Sequence, residues 1–222
     1  MIKSFFEYLG LADVERVHSQ FLAWVLSEDC NAIEATEKQS LFKNLFRIEG
    51  QIIQIHTERN NIDIFIQTAT DIVVIENKIK SSQHSNQLHN YKQYCDKEFP
   101  IYNKHFFFLT LIGEKTSDED WKRLSYSNIY EQLNSLNLKQ NNTHSSIIKE
   151  YLIFLERLMS VLSDFNANVK KYDIVFFDGH KKKQDKKRSD YKNENEWFIA
   201  SNQLETILQK SFLSLLIEEI KP

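Results

Sequence analysis

An acid at position 63, a second acid at 76 and a lysine at 78 stand where the chain is least hospitable to charge. Asp63 interrupts the run Ile62-Asp63-Ile64-Phe65-Ile66, and Glu76 and Lys78 follow Val73-Val74-Ile75 with only Asn77 between them. Charged groups are seldom buried without partners, so their place at the end of the most apolar segment implies a purpose. Side chains alternate along a strand, which puts Glu76 and Lys78 on one face and Asn77 on the other. A turn at Thr68-Ala69-Thr70 joining antiparallel strands brings Asp63 opposite residue 75 or 76. A slip of one residue would reverse the faces, and sequence alone does not fix that register. Two close carboxylates repel unless a cation joins them. Magnesium suits such a pair, as a hard ion that takes oxygen ligands and keeps waters, and manganese is the natural substitute. A cation so held lowers the pKa of a bound water and stabilises charge on a phosphate. A lysine beside it can orient or deprotonate the attacking water. The chemistry these three residues suggest is hydrolysis of a phosphodiester.

The next segment adds polar groups at helical spacing. Gln83, Gln87 and Tyr91 recur at i, i+4 and i+8, so Gln87 and Tyr91 share a helix face and could position the lysine, a water or a phosphate. The plain alternative is a half-buried amphipathic face, because Tyr91 also continues the apolar stripe through Leu88 and Cys95.

The elements that must hold these residues follow from periodicity. Residues 2–9, 13–28 and 37–47 read as helices, with Asp13 as N-cap of the second. Residues 51–57, 62–67 and 71–79 are Ile- and Val-rich and read as strands, the last apolar on both faces as in a strand covered twice. Helix is expected over 83–98, a buried strand over 105–112, a turn over 117–120, a short edge strand over 121–126 and helix over 127–137 and 144–165. Residues 172–177 look strand-like, 181–188 form the basic run KKKQDKKR, and 194–220 read as one helix. This order predicts an α/β fold, a central mixed sheet flanked by helices, with a helical C-terminal extension. The expected division is a catalytic domain over 1–165 and an extension over 166–222.

Bulk properties exclude several classes. The 222 residues, with 41% hydrophobic and only 4 Gly and 2 Pro, suffice for one packed α/β domain of regular elements. Net charge is −3, so any nucleic-acid binding needs a local basic surface. Lys80 and the run Lys181, Lys182, Lys183, Lys186, Lys187 and Arg188 are the candidates, although such a run is more often a solvated loop. Cys30 and Cys95 make no zinc spacing and fit a reducing cytoplasm. No phosphate-binding G-x-x-x-x-G-K-[ST] loop, secretory leader or membrane-spanning run is seen, so neither a nucleotide cofactor nor a membrane is expected.

Asp63, then Glu76-Asn77-Lys78, then Gln87-Leu88-His89-Asn90-Tyr91 resembles the D…E-x-K…Q-x-x-x-Y signature of PD-(D/E)XK nucleases, the last part being similar to the RecB-type branch. The stretches Glu15-Arg16-Val17-His18-Ser19, Leu109-Thr110-Leu111-Ile112-Gly113 and Trp121-Lys122-Arg123-Leu124-Ser125-Tyr126 are similar to a bacterial group of that superfamily. The resemblance covers roughly residues 10–165 and implies a restriction-endonuclease-like core. It implies that Asp63 and Glu76 ligate metal, Lys78 is the catalytic lysine, Gln87 and Tyr91 support the site, Glu15 is a further acid near the metal and His18 a further ligand. Glu15 and His18 have a plainer reading as a surface acid and a core histidine. Ile62 stands where the signature has proline, and residues past 166 match no pattern. The implied partner is DNA, cut in repair, restriction or phage defence, and a homo-oligomer is compatible with this. The rival expectation is an inactive nucleic-acid-binding or regulatory module that keeps the nuclease fold.

Overall fold

The computed structural model describes residues 3–80, 86–114, 116, 118–176 and 187–220, the side chains of 218 and 219 excepted. Gln83, Lys181, Lys182, Lys183 and Lys186 lie outside the described residues. The chain forms two compact units. One is Glu15–Leu152, and the other combines Met1–Val14 with Ile153–Pro222.

The first unit is built on a five-stranded mixed sheet in the order β1(Gln54–Arg59), β2(Ile62–Gln67), β3(Asp71–Lys78), β4(Asn103–Thr110), β5(Trp121–Ser125). The first three strands are antiparallel and the last three parallel. Asn60 and Asn61 turn β1 into β2, both in the left-handed region at φ 51° and 65°. A two-residue turn of that hand matches the twist of the paired strands, and Asn tolerates it better than most residues. The second hairpin turns at Thr68, whose N–H bonds the Asp71 carbonyl at 2.9 Å and whose hydroxyl accepts the Asp71 N–H at 2.9 Å. That turn sets Ile64 against Ile75. One residue further along the same register, Asp63 faces Glu76.

Every residue of β3 is buried, as expected for a strand covered on both faces. One face, with Phe65, Ile72, Val74, Phe106 and Phe108, packs on Leu88, Tyr91 and Cys95 of α4(Gln87–Glu98). The other lies under α2(Glu15–Leu26), α3(Ala35–Phe46) and α5(Tyr126–Asn134), where Phe46 meets Phe107 edge to face at 5.1 Å. The expected sheet with helices on both faces is therefore observed. β1 is shifted to start at Gln54, and α2 begins at Glu15, with Asp13 in the turn before it instead of at the N-cap.

The second unit is helical. It holds α1(Phe5–Leu9), the later part of α6(Thr143–Ala167), α7(Glu194–Ser201) and α8(Glu205–Glu219). Two expectations are corrected here. The 194–220 helix is broken at residues 202–204. Gln203 turns left-handed at φ 53°, and the Leu204 N–H reaches back to the Ile199 carbonyl at 2.9 Å, a Schellman-type stop. Buried Asn202 fixes the break by accepting the Ala12 N–H at 3.3 Å and donating to the Glu7 carbonyl at 3.4 Å. Residues 172–177 are not a strand over their described part; Asp173–Val175 is a single 3-10 turn. Tyr172 and Val175 are buried, Tyr172 beside Phe165 at 5.9 Å, while Phe176 is exposed. Periodicity registered that burial and mistook it for sheet pairing.

Candidate active site

The end of β3 gathers the charged residues. Glu76 is fully buried and Lys78 nearly so, with Lys78 Nζ 2.6 Å from Glu76 Oε1. Half-buried Asp63, on the neighbouring strand, accepts the Asn77 backbone N–H through Oδ2 at 2.7 Å. Glu15, the first residue of α2, closes over the strand end. Its Oε1 accepts the N–H groups of Ile79 at 2.9 Å and Lys80 at 3.0 Å, and its Oε2 lies 3.9 Å from Lys78 Nζ. Asp63, Glu76, Lys78 and Glu15, expected together, are together.

Burial sets the electrostatics of this group. It pushes the Asp63 carboxyl up to about 6, against the Asn77 N–H and Lys78, which favour the charged form. Glu76 is pushed up to about 8, by burial first and then by the Asp63 carboxylate, with Lys78 opposing both. Burial alone would lower Lys78, but Glu76, Glu15 and Asp63 outweigh it and hold the amine charged.

Tyr91 and Gln87 complete the wall toward α4. Gln87 Nε2 donates to the Tyr91 oxygen at 2.7 Å, and the phenol donates to the Asn61 carbonyl. Burial, followed by the nearby Glu76 carboxylate, raises the Tyr91 phenol far above its ordinary range, so it stays a donor. Tyr91 also packs in the core cluster, as the plain reading of this face expects.

Among the described residues, Gln87 Oε1 and Thr110 Oγ1 are shielded from solvent without a hydrogen-bond partner, and the buried Glu76 carboxyl meets Lys78 Nζ. Thr110 pairs in register with Lys78 on the parallel neighbour strand, so it shares the same face. Buried polar groups are rarely left orphaned unless a water or an ion serves them. The donor set, two carboxylates and a hydroxyl, is oxygen-rich and suits a hard divalent ion. Among the described residues no three His, Cys, Asp or Glu side chains stand close enough to hold a metal by themselves.

His18 is placed differently. It is buried, its Nδ1 shares a 2.7 Å hydrogen bond with Tyr151 OH, and its ring meets Tyr126 edge-on at 5.3 Å. Lys80 is half-buried next to the site, with its N–H on Glu15. In the helical unit Lys187 is exposed. Arg188 pairs with Glu194 and lies 4.8 Å over the Trp197 ring, so its guanidinium is already engaged.

Two residues at the site escaped the sequence reading. One is Thr110. The other is Asn77, fully buried on the face opposite Glu76. Its Nδ2 donates to the Glu15 carbonyl at 2.9 Å and to Ser19 Oγ at 3.0 Å, and its Oδ1 accepts from Tyr126 OH at 2.8 Å. Asn77 thereby ties α2 and α5 to β3, and its own N–H holds Asp63. The signal was present: an amide inside a doubly covered strand must find partners on both sides.

A family model described as the PD-(D/E)XK nuclease superfamily matches residues 3–212. No curated protein and no solved structure matches the chain.

Proposed function

Because the chain belongs to the PD-(D/E)XK nuclease superfamily, we propose that it is a magnesium-dependent nuclease that hydrolyses phosphodiester bonds of DNA. The observation that carries this reading is the meeting of Asp63, Glu76 and Lys78 at one strand end, with Lys78 Nζ 2.6 Å from the buried Glu76 carboxyl. Asp63 and Glu76 would hold the ion, which when bound supplies positive charge against the charge growing on the phosphate.

The chain's own groups do the rest. Lys78 remains protonated beside Glu76, and its ammonium can orient the attacking water and neutralise the pentavalent phosphate as it forms. Asp63 is aimed by the Asn77 N–H, which keeps its carboxylate turned to the pair. Glu15 binds the backbone just past Lys78 and fixes the strand end from which the lysine projects. Tyr91, a permanent donor anchored on Asn61, borders the pair and can meet a phosphate oxygen after a small rotation. The near-complete burial of Lys78 and Glu76 limits water and strengthens these interactions. We assign His18 to the scaffold through Tyr151. By analogy with the superfamily we place the activity in repair, restriction or phage defence.

The test is incubation with linear, circular and single-stranded DNA, with and without Mg²⁺ or Mn²⁺, alongside Asp63→Asn and Lys78→Ala. Metal-dependent cutting that drops by roughly a thousandfold or more in both variants is expected. DNA binding without any cutting, unchanged by Lys78→Ala, would leave a binding module instead.

A further inference from the structure

The sheet unit opens a cleft of about 570 Å³ lined, among the described residues, by Asn60, Asn61, Asn86, Gln87, Asn90, Tyr91 and Tyr94. It shares Gln87 and Tyr91 with the catalytic face. Its chemistry differs sharply from that face, being five carboxamides and two phenols with no charged side chain. In a chain that is 27% Asp, Glu, Lys and Arg, the described residues of this cleft present neutral donors and acceptors. A phosphate-binding groove would need cations. We propose that this cleft receives an unpaired nucleobase adjacent to the scissile phosphate, and that its amides set a base preference for cleavage. The inference rests on the nuclease reading and specifies how its substrate is held.

Three observations support it. A carboxamide carries a donor and an acceptor side by side, the pattern that pairs with base edges, and phenols offer flat surfaces for stacking. The frame is rigid where it must be. Asn60 and Asn61 form a tight left-handed turn, and the Tyr91 phenol bonds the Asn61 carbonyl, pinning that turn to α4. Tyr94 is held by Arg59 Nε at 3.2 Å, while the Arg59 guanidinium lies 4.5 Å over the Phe65 ring and so is engaged inside the fold. The reading groups, in contrast, are available. Asn60, Asn61, Asn86 and Asn90 are exposed, and among the described residues their side chains make no hydrogen bond. Finally, the position is right. Gln87 and Tyr91, hydrogen-bonded to each other at 2.7 Å, line the cleft on the face of the sheet that carries Glu76, which would turn the backbone phosphate of a base in the cleft toward the carboxylates. A base can enter such a cleft only when it is out of the helical stack, which specifies single-stranded, frayed or flipped substrate.

The experiment compares two short fluorescein-labelled single strands of equal length, one of mixed sequence and one abasic, with calcium replacing magnesium to prevent cutting. Both strands are titrated with the full chain and with the double variant Asn86→Ala, Asn90→Ala. Asn90 is on the exposed side of α4, and Asn86 makes no side-chain cap bond, so the variant should fold; a melting curve checks this. The expected result is a roughly tenfold tighter Kd for the base-bearing strand with the unaltered chain. The variant should bind both strands at the abasic value. In parallel, cleavage of a randomised strand with magnesium should show a preferred base at one position beside the cut, lost in the variant. Equal binding of the two strands, binding of neither, or a variant that keeps the difference would each overturn the proposal. Cutting without base discrimination would remove this inference and leave the nuclease reading. Base discrimination in binding without cutting would remove the nuclease reading, and with it the base preference for cleavage, and leave a base-binding cleft.

Discussion

Replacing Glu76 by glutamine should stabilise the metal-free protein at mildly alkaline pH and remove its response to metal. Glu76 is fully buried, and its carboxyl is pushed from 4.5 up to about 8 by burial and by Asp63. A raised folded-state pKa means that the fold favours the protonated acid. The stability contributed by that proton is complete below about pH 4.5 and is lost as pH rises toward about 8. At about 1.4 kcal/mol per pKa unit the displacement sets a ceiling on the order of 5 kcal/mol. Water entry and side-chain movement relieve part of it, leaving about 2 kcal/mol. Glutamine has the shape of the protonated acid and no charge to lose. In a chain of this size about 2 kcal/mol moves the melting temperature by roughly 4–8 °C. Scanning calorimetry in EDTA near pH 5 and near pH 8.5 should therefore give similar melting points for the two proteins at the acid end. The glutamine variant should melt higher at the alkaline end. Excess Mn²⁺ should then raise the unaltered chain by about 3 kcal/mol at a hundredfold excess over Kd, and the variant by far less. A variant that melts lower than the unaltered chain near pH 8.5 in EDTA, or one that keeps the full manganese shift, would refute this reasoning.

Further outcomes follow from the same geometry. Asp63, raised to about 6, should give the same pattern at lower pH and smaller size, so Asp63→Asn should melt higher than the unaltered chain near pH 8.5 in EDTA while losing metal-dependent cutting. Asn77→Leu should cost about 2–4 kcal/mol by urea denaturation, because it strips Tyr126, Ser19 and the Glu15 carbonyl of their buried partner; an unchanged midpoint would show that Asn77 is not the tie between β3 and its helices. Gln203→Gly should stabilise the helical unit by about 0.5–1 kcal/mol, since φ 53° costs glutamine and not glycine; a lowered melting point would contradict this.

The hairpin that brings Asp63 to Glu76 and Lys78 was legible in sequence because its signals are local. A strand apolar on both faces, two charges two residues apart and a short Thr-rich turn leave few ways to fold, and the register that the sequence left open between 75 and 76 is settled by the Ile64–Ile75 pair. Glu15 came from resemblance to the family, since nothing local says that its carboxylate will bind the amides of Ile79 and Lys80, 64 and 65 residues away. Thr110 and Asn77 were missed because their roles depend on neighbouring strands and helices. The helix break at Gln203 carries no glycine or proline to announce it; a buried bond from Asn202 to residues of α1 and the turn after it enforces it, a contact over 190 residues or more. Residues 172–177 misled for a related reason: apolar density reports burial and does not say whether sheet or helix supplies the cover.

In the proposed mechanism two carboxylates from adjacent strands hold one divalent ion within reach of one lysine. Crystals grown with Mn²⁺ and measured at a wavelength where manganese scatters anomalously test it directly. The account predicts an anomalous peak bridging Asp63 and Glu76, about 2.0–2.3 Å from an oxygen of each, with Lys78 Nζ drawn off the Glu76 oxygen that it contacts at 2.6 Å. Crystals that bind manganese elsewhere, or not at all, while Lys78 remains on Glu76 would contradict it.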